Sequence, residues 1–250
     1  MPQHLVIDRG NSRTKSALFK GSRLLRAGAW ANADHLALRR FLANQQVDRV
    51  VMASTAHDDE ALRLALADLA PLTVVTGATP SPLMNDYGTP ESLGADRLAN
   101  AVAAASLFRG RPALAIDLGT CITYDLVDAQ GTYHGGLISP GYRMRAKAMH
   151  HFTARLPEVE PPDDPPLIGR STLECLASGA HHGTRAELQA LIAEHRQQYP
   201  GLAVVLTGGD APRFARALEN GIFAHPYLTL LGLHEILLHL HPADGPGPAA

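Results

Sequence analysis

Cysteine is scarce in this chain, with two residues in 250, Cys121 and Cys175. They lack Cys-x-x-Cys spacing, which argues against a disulfide framework and reads as reduced, structural thiols of a cytosolic protein. Long apolar runs are missing too. No stretch reaches the roughly 20 residues that span a bilayer, and Met1-Pro-Gln-His4 leads straight into an apolar strand without a signal-peptide pattern. Nor does either charge dominate: the net of −2 gives no electrostatic case for nucleic acid or an anionic membrane. The histidine pairs His150-His151 and His181-His182 have no nearby carboxylate to complete a familiar ligand pattern. Neighbours on a helix point about 100° apart, so both pairs read as surface or partly packed side chains rather than metal ligands. What is present, 46% hydrophobic and 18% charged residues, describes a soluble, cytoplasmic, two-lobed enzyme with no nucleic-acid or membrane partner.

Two short motifs of one design stand far apart, each at the end of an apolar run. Asp8-Arg-Gly-Asn-Ser12 follows Leu5-Val6-Ile7 and precedes Lys15-Ser-Ala-Leu-Phe19; Asp117-Leu-Gly-Thr-Cys121 follows Leu114-Ala-Ile116 and precedes Ile122-Thr-Tyr-Asp-Leu-Val127. Both read strand, acid, glycine turn, small polar residue, strand. Glycine allows a tight hairpin and a close approach of backbone N–H groups to an anion, and a carboxylate there suits a cation held beside phosphate. A single Asp-x-Gly is equally an ordinary hairpin turn. Two copies, one near the start of each half, point to a duplicated domain closing on a nucleotide.

The pattern predicts strands over 4–8, 15–20 and 23–30, a helix over 34–43 capped by Asp34, a strand over 47–52, a helix over 58–69 and a strand over 72–75. A long loop over 77–93 then enters an alanine-rich helix over 95–108; loops of that length are often functional. The second half repeats the order: strands over 113–118, 121–127 and 132–138, a helix over 142–152, an exposed proline-rich loop over 156–166, and a helix over 172–199 with possible breaks at Gly179 or Gly183. A strand over 203–206, a short helix to Glu219 and a helix over 227–240 complete it. The expected division is a first lobe over 1–110, a second over 111–241 and a Pro/Gly/Ala-rich tail over 242–250.

Three further groups invite a chemical reading beside a structural one. Thr207-Gly-Gly-Asp210 leaves room for a flat adenine or ribose, or is a plain strand-to-helix turn with Asp210 as N-cap. Gly94-Ala-Asp-Arg97 could place a general base beside an anion-binding guanidinium, or Asp96 could simply favour the helix N-terminus. Tyr87 could cover a ligand or pack on its own loop. The C-terminal leucines read as core or an oligomer contact.

Taken in order, these residues resemble the type III pantothenate kinases, of the superfamily that includes acetate and sugar kinases, Hsp70 and actin. The resemblance covers nearly the whole chain. It rests on Asp8 to Lys15, Gly94 to Arg97 and Asp117 to Asp125, joined by Gly135-Gly-Leu-Ile-Ser-Pro-Gly141, Thr153-Ala-Arg-Leu-Pro157, Ser171 to Gly179, Thr207-Gly-Gly209 and Leu228-Thr-Leu-Leu-Gly-Leu233. It implies an α/β fold of two tandem ribonuclease-H-like (actin-like ATPase) lobes with the active site in the cleft between them. It further implies ATP contacts from Asp8, Arg9, Gly10, Asn11, Ser12, Arg13, Thr14, Lys15 and Thr120, and a pantothenate pocket from Tyr87, Gly94, Ala95, Asp96, Arg97 and Thr172. Asp96 would be the general base, Asp8 would lie nearest Mg2+, and Asp117 would hold a potassium or ammonium ion. The implied activity is ATP-dependent phosphorylation of pantothenate, the first step of coenzyme A synthesis, by a homodimer. Small side chains of the helix after Gly94 (Ala95, Ala99, Val102, Ala103, Ala105) suit a close helix contact in such a dimer. Departures are Arg9 where an aliphatic residue is usual, Ser12 for threonine and Cys121 for alanine. The alternatives are a non-catalytic relative acting as a transcription accessory factor, which would be expected to lose the base or one acidic turn, and a kinase of another small hydroxylated metabolite.

Overall fold

A computed structural model describes all residues except 12, 33, 35, 44, 55–59, 161, 217, 219–221 and 243–250. The chain divides into two compact units. The first comprises Met1–Leu107, Gly131–Tyr133 and Tyr227–Ala250; the second comprises Phe108–Gln130 and His134–Pro226. The division departs from the sequence reading at one place that matters: the C-terminal helix joins the first unit, not the second.

In the first unit β1 (Gln3–Arg9), β2 (Arg13–Lys20) and β3 (Arg23–Ala31) form an antiparallel meander, and β4 (Arg49–Ser54) and β5 (Leu72–Val74) run parallel to β1. The sheet order is β3-β2-β1-β4-β5. Leu5, Val6 and Ile7 are fully buried, as a central strand covered on both faces requires. One face packs against Phe41 and Leu42 of α1 (Ala37–Leu42) and Leu66 of α2 (Glu60–Ala67). Helix α3 (Ala95–Leu107) packs along α7 (Leu228–Leu240), and α7 contacts β1, β2 and β4. Helix α1 begins later than its sequence suggests: Asp34 accepts from Leu36 N at 3.3 Å and opens a turn, not the helix. Asp58, the expected start of the next helix, lies outside the described residues.

The second unit repeats the plan. β7 (Ala113–Leu118) pairs antiparallel with β8 (Cys121–Val127) and parallel with β10 (Ala203–Thr207), which pairs parallel with β11 (Ile222–Ala224). With β9 (Thr132–Pro140) five strands run in the order β9-β8-β7-β10-β11, which repeats the first sheet, and a sixth strand is added at the β9 edge. Its apolar face, with Leu114, Ile116, Ile122 and Tyr124, packs against α4 (Tyr142–His151), α5 (Thr172–Gln198) and α6 (Ala211–Ala215). The two-residue strand β6 (Met84–Asn85) of the long loop pairs with Thr132 and Tyr133, which belong to the first unit. Helix α5 runs unbroken for 27 residues; a Cβ at Gly179 or Gly183 would meet nothing. Each glycine costs a helix only about 1 kcal/mol, too little to interrupt one packed along its length. Among the described residues no helix is long and apolar enough to cross a membrane.

The small residues of the helix after Gly94, expected at a contact with a second copy, are largely packed within the chain. Ala99, Ala101, Ala103 and Ala104 are buried, and a Cβ on Gly232 of α7 would lie 1.8 Å from the Ala99 carbonyl oxygen. At Ala99 the close approach serves α7 of the same chain, and Ala105 is half-buried.

Candidate active site

Equivalent strand ends carry the two acidic turns, and ligands of open α/β sheets bind outside the carboxyl ends of parallel strands. In the first turn Asp8 pairs across β1–β2 with Lys15, which places both side chains on one face, Lys15 Nζ 3.9 Å from Asp8 Oδ2. Asp8 is buried. Gly10 closes the turn by donating its N–H to the Arg13 carbonyl at 3.0 Å. Asn32, just beyond β3, staples the turn: its Nδ2 donates to the carbonyls of Gly10 (2.9 Å) and Asn11 (3.2 Å), and its Oδ1 accepts from the Thr14 hydroxyl at 2.8 Å. Thr14 is thus buried in a structural contact, whereas Asn11 and Arg13 are exposed and Arg9 half-buried. Ser12 lies outside the described residues. Sequence reasoning missed Asn32, because a staple drawn from a strand twenty residues away leaves no local pattern.

The base candidate belongs to the same unit. Asp96 sits in the first turn of α3 and accepts from the Arg97 backbone N–H at 2.9 Å. It lies over Gly94, where a Cβ would come within 2.4 Å of Asp96 Oδ1. Burial pushes the Asp96 carboxyl above its usual range, against the backbone N–H groups and the Arg97 and Lys15 charges that pull it down. Arg97 is buried beneath Tyr87, its guanidinium 5.5 Å from the ring centroid and its Nη1 3.5 Å from the phenol oxygen. Tyr87 in turn stacks on Tyr133 at 6.1 Å. The long loop is tied at its base, since a Cβ on Gly77 would overlap the Leu93 carbonyl oxygen at 2.3 Å. Tyr87, Gly94, Ala95, Asp96 and Arg97 are therefore brought together. Thr172 stands on the second unit, exposed at the first position of α5 behind the Ser171 cap.

In the second turn Asp117 pairs with Thr123 of β8 on one side and Thr207 of β10 on the other. Gly119 N donates to the Cys121 carbonyl at 3.1 Å, and Gly141, at the start of α4, donates to the Thr120 carbonyl at 3.1 Å. A Cβ on Gly141 would lie 2.3 Å from that carbonyl oxygen, which explains the glycine after Ser139-Pro140. Thr120 is exposed at the tip. The Thr207-Gly-Gly turn packs on Asp117: Gly208 has φ +92°, and a Cβ there would sit 2.4 Å from Asp117 Oδ1.

Beside Gly209 the second unit holds a cavity of about 560 Å³, lined by Arg143, His181, Arg185, Asp210, Arg213 and Arg216 among others. Asp210 stands at the N-terminus of α6 but does not cap it; its carboxylate accepts from Arg143 Nη1 at 2.8 Å and lies 3.8 Å from Arg213 Nε. Arg213 covers the Tyr142 ring at 4.6 Å and also pairs with Asp163. His181 is buried against Phe214, and burial together with the neighbouring His182 and Arg185 keeps its pKa below the ordinary range. The cavity is thus polar, its arginines interleaved with the carboxylates of Asp163, Asp164 and Asp210, and the His181 imidazole is the one aromatic ring among its described lining residues.

The type III pantothenate kinase family profile matches residues 4–194. A type III pantothenate kinase of Phocaeicola vulgatus is 40% identical over 236 residues, which span 94% of this chain and 97% of that protein. Among solved structures, a conserved Campylobacter jejuni protein assigned to the Baf family of transcriptional activators superposes with a TM-score of 0.59 at 19% identity, covering 96% of this chain and 99% of that one. An inorganic polyphosphate/ATP-glucomannokinase of Arthrobacter gives 0.51 at 17% identity, covering 96% and 100%. These structural likenesses carry the fold, the two-lobed α/β architecture of the actin-like ATPases and sugar kinases, which agrees with two sheets that share a five-strand order. With the sequence matches running through both acidic turns and the Gly94–Arg97 motif, the chain belongs to the type III pantothenate kinase family.

Proposed function

We infer that the chain transfers the terminal phosphoryl group of ATP to the primary hydroxyl of pantothenate, the first step of coenzyme A biosynthesis. The observation that carries the residue assignment is the Asp96 carboxylate, held over Gly94 with its pKa raised and with Lys15 and Arg97 close enough to act on its charge. A base works best when its pKa lies near the working pH, and a desolvated carboxylate moves in that direction. Asp96 would accept the hydroxyl proton. Arg97, under Tyr87, would hold the pantothenate carboxylate or the transferring phosphoryl, and Gly94, Ala95 and Thr172 would complete the substrate pocket.

Phosphoryl transfer asks for positioning and charge neutralisation rather than covalent chemistry. Lys15 provides a fixed ammonium beside Asp8, and the backbone of residues 9–13 and the Thr120 tip would take the phosphates. Asp8 is the oxygen donor for Mg2+ with ATP: a carboxylate beside a lysine suits a metal that arrives already bound to phosphate. Asp117, flanked by two threonines, is the donor for a potassium or ammonium ion; the buried Thr207 hydroxyl beside it has no hydrogen-bond partner among the described residues, which fits an oxygen-liganded cation. When bound, these ions offset the phosphate charge. The cavity beside Gly209 would take the nucleoside end of ATP.

A second copy of the chain is the partner favoured by the surface around Thr172. Leu167, Ile168 and Leu173 are all exposed there, 79% in the case of Ile168, and a cluster of that kind marks an interaction surface. Sedimentation at micromolar concentration should give a dimer of the 26.7 kDa chain. The deciding experiment is ATP consumption by the purified protein with pantothenate, in potassium, ammonium and sodium salts. Turnover that requires pantothenate and falls sharply in sodium is expected. Absence of pantothenate-dependent turnover would instead favour the non-catalytic alternative, against which stand the intact base and both intact turns.

A further inference from the structure

We propose that the Thr207 hydroxyl and the Asp117 carboxylate grip one monovalent cation between them, with Gly208 as the position that makes room for the carboxylate. This rests on the reading of Asp117 as the cation-holding residue and adds to it a second ligand on a different strand.

Thr207 is the Cα partner of Asp117 across the parallel β7–β10 pair, and laterally paired residues of a sheet share a face. Thr207 is 1% exposed, yet its Oγ1 has no hydrogen-bond partner among the described residues. A buried hydroxyl left in that state is costly, and a native structure retains one only for a reason. On the opposite flank Thr123 has a partner, donating its hydroxyl to Asp125 Oδ2 at 3.2 Å. The orphaned oxygen is therefore the one beside Asp117 on the β10 side. Its lone pairs, with a carboxylate alongside, form an all-oxygen donor set of the type that hard cations take. The pair's single negative charge balances a single positive one.

Gly208 adds a steric argument. Its φ of +92° and the 2.4 Å approach of Asp117 Oδ1 to its absent Cβ hold the carboxylate against the residue that follows Thr207, while the same oxygen lies 3.1 Å from the Cβ position of Gly119 in the turn. The first turn offers the control. There the two cross-strand partners of Asp8 are Lys15 and Ala53, a permanent ammonium and a methyl group, so those partners supply a built-in cation and not a hydroxyl oxygen.

The test compares wild type with Thr207→Val, Thr207→Ser and Asp117→Asn. Thermal midpoints are measured in potassium and in sodium chloride at equal ionic strength, with magnesium and a non-hydrolysable ATP analogue present, and turnover is titrated with potassium. The wild-type midpoint should rise in potassium. Thr207→Val should lose that rise while matching or exceeding the wild-type midpoint in sodium, because it removes an unsatisfied buried hydroxyl. Its half-saturating potassium concentration should increase about tenfold or more, the size expected for one oxygen contact to a charge. Thr207→Ser should restore both. A Thr207→Val protein with an unchanged potassium rise and titration, beside an Asp117→Asn protein that has lost both, overturns the role of Thr207 and leaves Asp117 standing. A loss of stability equal in both salts assigns Thr207 to packing or a bridging water and also overturns it. A wild type indifferent to potassium in both measurements removes the Asp117 reading and this proposal together.

Discussion

Asp8 and Asp117 occupy the same position in the five-strand order that the two sheets share, each with an antiparallel partner on one side and a parallel partner on the other. The flanks are where they part. Asp8 has Lys15 and Ala53; Asp117 has two threonines, Thr123 and Thr207. The first turn carries its positive charge covalently, on a side chain whose ammonium lies 3.9 Å away. The second offers oxygen atoms instead, which suits a charge that comes and goes with the solution. Duplicated architecture thus fixes where the carboxylates stand, and the flanking residues give each a different charge environment. The units also differ in their charged groups. The base candidate Asp96 stands in the first, while the second presents arginines and carboxylates around a cavity beside Gly209.

The largest effect expected from breaking this division of labour is at Asp96. Asp96→Asn keeps the shape and its acceptance of the Arg97 N–H but cannot take a proton, so kcat should fall by about 10²–10⁴. The thermal midpoint should hold or rise, because a neutral amide costs less to desolvate there than a carboxylate, and asparagine serves well at a helix start. If Asp96 merely complemented the helix end, the variant would keep near wild-type turnover. The raised pKa makes a companion prediction: wild-type kcat should fall with decreasing pH through a value above the ordinary aspartate pKa of 3.8, since the base must be ionised.

Two glycines sharpen the comparison further, because each seats a carboxylate but on different ground. An added Cβ at Gly208 would meet Asp117 Oδ1 at 2.4 Å and the Leu118 backbone at 2.5 and 2.6 Å, at a left-handed φ. Backbone cannot swing aside, so Gly208→Ala should cost roughly 1–3 kcal/mol of stability in addition to activity. At Gly94 the close contact is Asp96 Oδ1 alone, at 2.4 Å, with the next atoms at 3.6 Å. Displacing a side-chain oxygen is cheap for the fold and expensive for a base that must sit within hydrogen-bond reach. Gly94→Ala should therefore lower kcat with a midpoint shift smaller than that of Gly208→Ala. Denaturant titration and turnover on the two variants separate the cases, and equal stability losses would refute the distinction.

Most of this was legible in the chain because it is local. Both acidic turns announce themselves as apolar run, Asp-x-Gly and second strand, and the meanders, the first strands of each sheet and the entry to α3 follow from alternation and turn residues. What escaped is set by distant contacts. The three-residue β11 and two-residue β6 carry too little pattern to detect, and only their pairing partners define them. Asn32 becomes meaningful once the meander brings it over Gly10. Asp210 looks like an N-cap and is instead drawn away by Arg143, a residue 67 positions earlier. The alanines of α3 were legible as a close-contact surface, but the sequence could not say that the surface belonged to α7 of the same chain rather than to a second copy.

The smallest effect concerns acid and the first unit. His4 of β1 and His234 of α7 are both buried, their ring nitrogens 3.1 Å apart, and His234 stacks on Phe19 at 4.0 Å. Burial first, and the neighbouring His4 second, push the His234 pKa down to about 3. In the unfolded chain it returns to roughly 6.5, so below that pH the unfolded state binds a proton that the folded state refuses. Stability is complete above about pH 6.5 and declines as pH falls toward 3, by up to about 1.4 kcal/mol per pH unit, or roughly 2 kcal/mol between pH 7 and 5. Trp30, the single tryptophan, packs against the first unit's core and tilts on Phe41 at 5.5 Å, so its fluorescence reports that unit alone. Denaturation followed by Trp30 should therefore weaken between pH 7 and 5 in wild type. In a His4→Leu/His234→Leu protein, where two apolar groups replace the pair without orphaning either ring, that decline should be smaller by about the same amount. Parallel pH profiles for the two proteins would show that the histidine pair is not what couples α7 to the pH of the solution.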